Sequence, residues 1–296
     1  MSAARLLRNR RVPTRRSPGD PIRESFFGAL MRKYYEAPEV AEIYAGHAGL
    51  HPAEEALLAE LRAELSRASL LDIGIGPGRT TPHLRAACRR YTGIDYSANM
   101  LRHAHARYPD AALVLCDARA LCFAGGAFDA VFFCFNAIGD VGHEDRLRIL
   151  REIRRTLRPG GVFVFSAHNR DARLPGAFAP PPLRGADGAG GIGAAAWLST
   201  HGERLRRYGR GIRNHLRLRR HQRKTAEYRI ATDYSYEHNL LSYYISGEAQ
   251  VRQLEALGYS AVRTLDKEGS ALPRGARSRG SYIYYVARRP AATTTL

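Results

Sequence analysis

No apolar run in the chain approaches the roughly 20 residues that cross a bilayer, the longest candidate being the short stretch 131–135. A protein built of membrane-spanning helices is therefore not expected, and no membrane is expected among its partners. Cysteine is sparse: Cys88, Cys116, Cys122 and Cys134 stand at spacings that match no zinc pattern. Three of them fall in apolar or strand-like segments, which predicts buried, reduced thiols, a cytoplasmic setting and no metal site. Lysine is rarer still, with only Lys33, Lys224 and Lys267, so the 46 basic side chains are nearly all arginine. An arginine preference looks compositional, but it does not by itself create an excess over the 28 acids. Acids are missing from the first sixteen residues, yet no apolar segment with a small-residue cleavage site follows. That stretch reads as an arm and not as a targeting peptide.

What is present is a core-forming composition: 296 residues, 45% apolar and 9% aromatic, enough for one large α/β domain or two modest ones. The charge is unevenly placed. Residues 1–35 hold nine basic and two acidic side chains (+7), and 203–229 hold eleven and two (+9), together +16 of the net +18. The basicity belongs to two grafted pieces, while the remainder is close to neutral.

Helical spacing of apolar residues runs from about 37 to 66, with Pro52 placed to open the second of two helices. Five short apolar runs follow, at 70–75, 91–95, 112–116, 128–135 and 162–167, separated by helical segments or loops. Such alternation predicts a doubly wound, mostly parallel α/β sheet with right-handed crossovers. A Pro-, Gly- and Ala-rich stretch to residue 196 reads as a loop, and the arginine-rich segment after it as a basic, helical insert. The sheet pattern is expected to resume over 234–245, with a helix near 247–257 and strands near 261–265 and 282–287. These observations divide the chain into a basic arm (1–33), an α/β core (34–169), a Gly- and Pro-rich loop with a basic insertion (170–232) and a C-terminal completion of the core sheet (233–296).

The strongest motif is the strand Leu70-Leu71-Asp72-Ile73 running into Gly74-Ile75-Gly76-Pro77-Gly78-Arg79-Thr80 and then a helix. Alternate glycines let backbone approach a ligand, and the helix offers free N–H groups. A dinucleotide fingerprint would carry its third glycine where Arg79 stands, which disfavours NAD. Strand two ends in Asp95-Tyr96-Ser97, an acid placed either to accept ribose hydroxyls or, with Ser97, to cap the helix holding Met100. Strand three ends in Asp117-Ala118. Acids at the C-terminal ends of three successive strands are more than capping requires.

This order of motifs resembles the class I S-adenosylmethionine-dependent methyltransferases, closely over 34–169 and loosely over 234–287. The resemblance extends to Phe128-Asp129-Ala130-Val131 and Leu157-Arg158-Pro159-Gly160-Gly161. It implies a Rossmann-like methyltransferase sheet with a C-terminal antiparallel strand, and S-adenosyl-L-methionine as cofactor. By resemblance, Gly74, Gly76 and Gly78 pass the methionine part, Asp95 holds the ribose and Asp117 meets the adenine amino group. The implied cofactor shell further includes Asp72, Thr80, Tyr96, Ala118 and Asn136. Tyr35 and Tyr44, with Tyr34, stand where the family's N-terminal aromatics close over the cofactor, or else pack the core. Met100 packs on adenine or fills the core.

His168, after strand five, has an ordinary pKa suited to proton transfer, and is the expected catalytic base; a structural hydrogen bond is the alternative. Tyr234, Tyr236, His238, Asn239, Tyr243 and Tyr244 are candidates for the acceptor pocket. The expected reaction is methyl transfer to an O or N atom of a small molecule or a peptide natural product, with the arginines suited to an anionic acceptor. Two alternatives are an RNA methyltransferase, weakened because few aromatics interleave the arginines, and a catalytically silent cofactor-binding regulator. No feature fixes the oligomeric state.

Overall fold

The computed structural model describes residues 24–173, 176–179 and 194–292, with backbone alone for 194–201. Most of the expected N-terminal arm and of the Pro- and Gly-rich loop lies outside the described residues.

Four helices precede the sheet: α1 (Phe26–Tyr35), α2 (Pro38–Ala45), α3 (Pro52–Glu60) and α4 (Arg62–Leu65). α1 takes over the end of the segment expected to be an arm. Ser25 caps it by accepting the Gly28 N–H at 3.0 Å, and Phe27 and Met31, one turn apart, are buried. Pro52 opens α3 as expected, within a capping box formed by His51 and Glu54.

The main sheet begins with β1 (Ser69–Ile73), α5 (Thr81–Ala87), β2 (Arg90–Asp95), α6 (Ala98–Arg107), β3 (Leu113–Leu115), β4 (Phe128–Phe133), α7 (His143–Thr156) and β5 (Leu157–His168). Register is parallel between β1 and β2, β1 and β4, β2 and β3, and β4 and β5. All five residues of β1 are buried, as a central strand covered on both faces requires. Along β5, Phe163 and Phe165 enter the core on one face and Val162 and Val164 the core on the other. Each large apolar side chain so buried contributes about 1.5–3 kcal/mol. α7 turns Ile149, Leu150 and Ile153 inward, with acids in its first turn and arginines in its last.

Residues 194–246 form the insertion: α8 (Ala194–Leu218), then β6 (Arg223–Lys224), β7 (Tyr228–Thr232) and β8 (Leu241–Ile245), a separate antiparallel sheet in the order β6-β7-β8. Here the structure corrects the expectation that 234–245 rejoins the main sheet. Tyr234–Tyr236 is a 3-10 turn capped by Asp233, and Glu237 and His238 are left-handed, so the chain reverses and β8 pairs with β7. Tyr243 and Tyr244 are buried because β8 packs on the core, touching it through a bridge between Asn169 and Ile245.

The chain returns through α9 (Gly247–Ala256), β9 (Ser260–Leu265), β10 (Ala271–Leu272) and β11 (Tyr282–Arg288). β11 is antiparallel to both β5 and β9, and the eight-stranded order is β10-β9-β11-β5-β4-β1-β2-β3. The order reverses between β1 and β4. That switch point opens a crevice at the C-terminal ends of the parallel strands.

Candidate active site

A cavity occupies this crevice, about 1170 Å³ counted with its open mouth, enough for a nucleoside-sized ligand. Its floor is the β1 turn, one wall carries Asp95 and Asp117, and the other is built by Tyr35, Tyr44, Phe135 and Asp140.

The glycine turn divides its labour. Gly76, at φ +55°, lines the cavity, and a Cβ there would meet no protein atom within 4 Å, so the missing side chain leaves space to the ligand. Gly78, at φ +92°, is absent from the cavity lining; a Cβ would strike the Tyr108 ring at 2.7 Å, so this glycine serves packing. The acids also differ. Asp72 accepts from Thr80 Oγ1 at 2.7 Å and Tyr91 Oη at 2.9 Å, and burial pushes its carboxyl up to about 7. Asp95 accepts the Gly76 N–H and the Ser97 N–H, both at 2.9 Å, yet burial still lifts it to about 6. Asp117 goes the other way. Burial would raise it, but Arg119, donating at 2.8 Å, holds it below the usual carboxylate range.

Every arginine lining the cavity is engaged by a carboxylate. Arg79 forms a two-pronged pair with buried Glu54 at 2.7 and 2.8 Å, and lies over the Phe135 ring at 5.0 Å. Arg119 joins Asp117 and Asp145, and Arg32 joins Glu24 and Asp117. Among the described residues, the lining acids without a salt-bridge partner are Asp72, Asp95 and Asp140.

The outer wall is a phenol cluster. Tyr35 Oη donates to Asp140 Oδ2 at 2.6 Å and lies 3.4 Å from Tyr44 Oη, which is 2.7 Å from Tyr236 Oη. Burial, opposed by the Tyr35 hydrogen bond and assisted by the charge of Asp233, raises Asp140 to about 7. Phe135 and Asn136, both at φ +59°, turn the chain sharply after β4 and aim the Phe135 ring at His51, 5.5 Å away and nearly parallel. Two consecutive non-glycine residues in that region carry strain of about 1–3 kcal/mol each, a common mark of a working site.

Residues 71–165 match the family model described as a methyltransferase domain. The chain carries a class I S-adenosylmethionine-dependent methyltransferase domain. Malonyl-acyl-carrier-protein O-methyltransferase of Erwinia billingiae is 33% identical over 132 residues, 45% of this chain and 51% of that protein. Trans-aconitate 2-methyltransferase of an Azoarcus species is 34% identical over 152 residues, 47% and 58% of the two chains. The chain spans about half the length of the curated relatives it matches. The structure of Burkholderia thailandensis 1,6-didemethyltoxoflavin-N1-methyltransferase aligns with a TM-score of 0.53 at 15% identity, over 93% of each chain, a likeness of fold.

S-adenosylmethionine is the cofactor of this family, and the cavity of the methyltransferase domain fits it. Asp95 is buried without a cation, a state that hydroxyl donors such as those of a ribose would relieve. The space beside Gly76 admits close approach, and the unpaired acids complement a sulfonium.

Of the sequence-derived candidates, Tyr35, Tyr44, Asp72, Gly74, Gly76, Thr80, Asp95, Tyr96, Met100, Asp117 and Ala118 line this one cavity. Met100 also packs on Val40 and Ala41, the core-filling alternative expected of it. Asn136 does not line the cavity: its N–H donates to Ser166 Oγ at 2.8 Å and its buried Oδ1 has no partner among the described residues. His168 is likewise outside the lining. Its ring lies 5.2 Å from that of Tyr244 and against Gly139, and burial lowers its pKa. Among the acceptor candidates Tyr236 reaches the phenol cluster, Tyr243 and Tyr244 are buried, and Tyr234 is exposed on the insert. The sequence reading assigned no role to Asp140, Phe135, His47 or the cavity arginines. The acid just beyond β4 was the available signal.

Proposed function

We propose that the chain is an enzyme that transfers a methyl group from S-adenosylmethionine to an O or N atom of a small molecule or a peptide. The observation that carries this reading is the continuity of one cavity from Asp95 and Asp117, at the nucleoside end, to Tyr35, Tyr44 and Asp140 at the other. The bound cofactor supplies a methyl group on a sulfonium, whose carbon–sulfur bond breaks, leaving its electron pair on sulfur, as the bond to the acceptor forms.

The chain's own residues have three tasks. Asp95 and the Gly76 turn fix the nucleoside, so that reacting atoms meet at short distance and in line. The tyrosine wall excludes water. A proton leaving the acceptor goes to a group beside the cavity, and in this reading that group is Asp140, which lines the cavity, and not His168, which does not. Relatives and fold neighbours named as O- and N-methyltransferases support the reaction class but differ in acceptor. Incubating the full chain with methyl-labelled S-adenosylmethionine and a mixed panel of amines, phenols, carboxylic acids and short peptides tests the reading. Label transferred to a panel member supports it. A chain that binds S-adenosylmethionine yet transfers label to no class, under conditions that keep it folded, favours a cofactor-binding regulator.

A further inference from the structure

Within the methyl-transfer reading, on which this inference rests, we propose that the acceptor is an amine that arrives as an ammonium ion, held between Asp140 and the rings of Tyr35 and Tyr44. Three features of the outer wall lead there. Asp140 lines the cavity with one oxygen bound by Tyr35 and with Oδ1 lacking any hydrogen-bond partner among the described residues. Among the described residues no lysine or arginine pairs with it, since the cavity arginines are held by Glu54, Asp117, Asp145 and Glu24, and the charged group acting on Asp140 from the insert is another acid, Asp233. The rings beside it are set edge to face, Tyr35 to Tyr44 at 5.7 Å and 67°, whereas the Phe135 ring beyond them is already covered by Arg79 and His51.

Rings crossed in this way turn their electron-rich faces in several directions, the arrangement that attracts a desolvated cation. A carboxylate without a counter-ion completes the attraction, and the same carboxylate repels an anionic acceptor. The wall therefore disfavours the anionic acceptor that the exterior arginines suggest.

An ammonium has no free electron pair, so it must lose a proton before it accepts a methyl group. Asp140 accepts that proton, either directly or across Tyr35 Oη. The N–H bond breaks and leaves its pair on nitrogen, an O–H bond forms on the carboxylate, and the freed pair is the one that bonds to the methyl carbon. A group that titrates near neutrality suits this exchange.

The test uses the full chain saturated with S-adenosylhomocysteine and three shape-matched probes: choline, neutral 3,3-dimethylbutan-1-ol and anionic 3,3-dimethylbutanoate. Dissociation constants from ligand-observed NMR are expected to favour choline over the alcohol by at least tenfold, with the carboxylate weakest. Asp140→Asn should abolish that preference while S-adenosylhomocysteine affinity stays within twofold. Tyr44→Leu, which keeps the carboxylate, should weaken choline several-fold and leave the alcohol unchanged. The proposal is overturned if the alcohol or the carboxylate matches choline, or if Asp140→Asn keeps the preference. It is also overturned if Asp140→Asn weakens S-adenosylhomocysteine as much as choline, which would assign Asp140 to the cofactor. A wild-type chain that binds no S-adenosylhomocysteine removes the methyl-transfer reading itself, and that result is visible before any probe is added.

Discussion

Arginine behaves differently in the cavity and on α8. Inside, Arg32, Arg79 and Arg119 are each locked to carboxylates, and the charge left over is acidic. On the insert, Arg207 and Arg210 pair with Glu237, but Arg213, Arg217 and Arg220 face solvent with no carboxylate partner among the described residues. A chain of net charge +18 thus encloses a site of the opposite character. Overall charge governs encounter with other molecules, whereas the site answers to its own few unpaired groups.

The largest effect that should separate these regions is on stability. Glu54→Gln breaks a pair whose side chains are only 3% and 10% exposed, and should cost about 3–5 kcal/mol in denaturant unfolding. Glu248→Gln removes an ion pair with Arg252 whose side chains are more than half exposed, and should change stability by no more than about 1 kcal/mol. Equal effects would mean that the interior arginines are no more committed than the outer ones.

Next in size is catalysis at Asp140. Its carboxyl is raised to about 7, so the ionised form, able to take a proton, gains population as pH rises. kcat/KM should climb through about pH 7, and Asp140→Asn should lose roughly a hundredfold and flatten that limb. Tyr35, Tyr44, Tyr96 and Tyr236, which surround it, are all raised above the usual phenol range and stay protonated, while Asp233 is lowered and stays ionised. Asp72 and Asp95 titrate in the same region, so the flattening in the Asn variant is the decisive comparison. An unchanged profile would place proton transfer elsewhere.

Asp95→Ala should weaken cofactor binding by about 1.5–3 kcal/mol, the range for hydrogen bonds to a charged group. Unaltered affinity would remove Asp95 from the ribose role. The smallest effect belongs to α8 and the turn that follows it. Replacing Arg213, Arg217 and Arg220 by Glu should leave folding within about 0.5 kcal/mol per site. It should also leave the rate at saturating acceptor unchanged. A large loss of saturated rate would tie the basic face to the chemistry and erase the contrast between the regions.

The main sheet was legible in the sequence because central parallel strands, covered on both faces, show as uninterrupted apolar runs. Asp72, Asp95 and Asp117 were legible for a related reason: strand ends converge on one edge whatever the rest of the chain does. The second sheet was not. Its strands are short, and the left-handed turn at Glu237 and His238 that reverses the chain has no glycine to announce it. Asp140 was visible as a letter without a role, since its partner Tyr35 lies 105 residues away and only tertiary packing joins them. His168 illustrates the converse, because a favourable place after β5 did not foretell that Tyr244 and Gly139 would stand against it.

The most direct test of the central claim is calorimetric titration of the full chain with S-adenosylmethionine, repeated with NAD and at low and high salt. An acid-lined methyltransferase cavity predicts saturable S-adenosylmethionine binding, no NAD binding and little change in affinity on adding salt, since the acids are shielded from solvent ions. Absence of S-adenosylmethionine binding, equal binding of NAD, or an affinity that collapses with salt would contradict it.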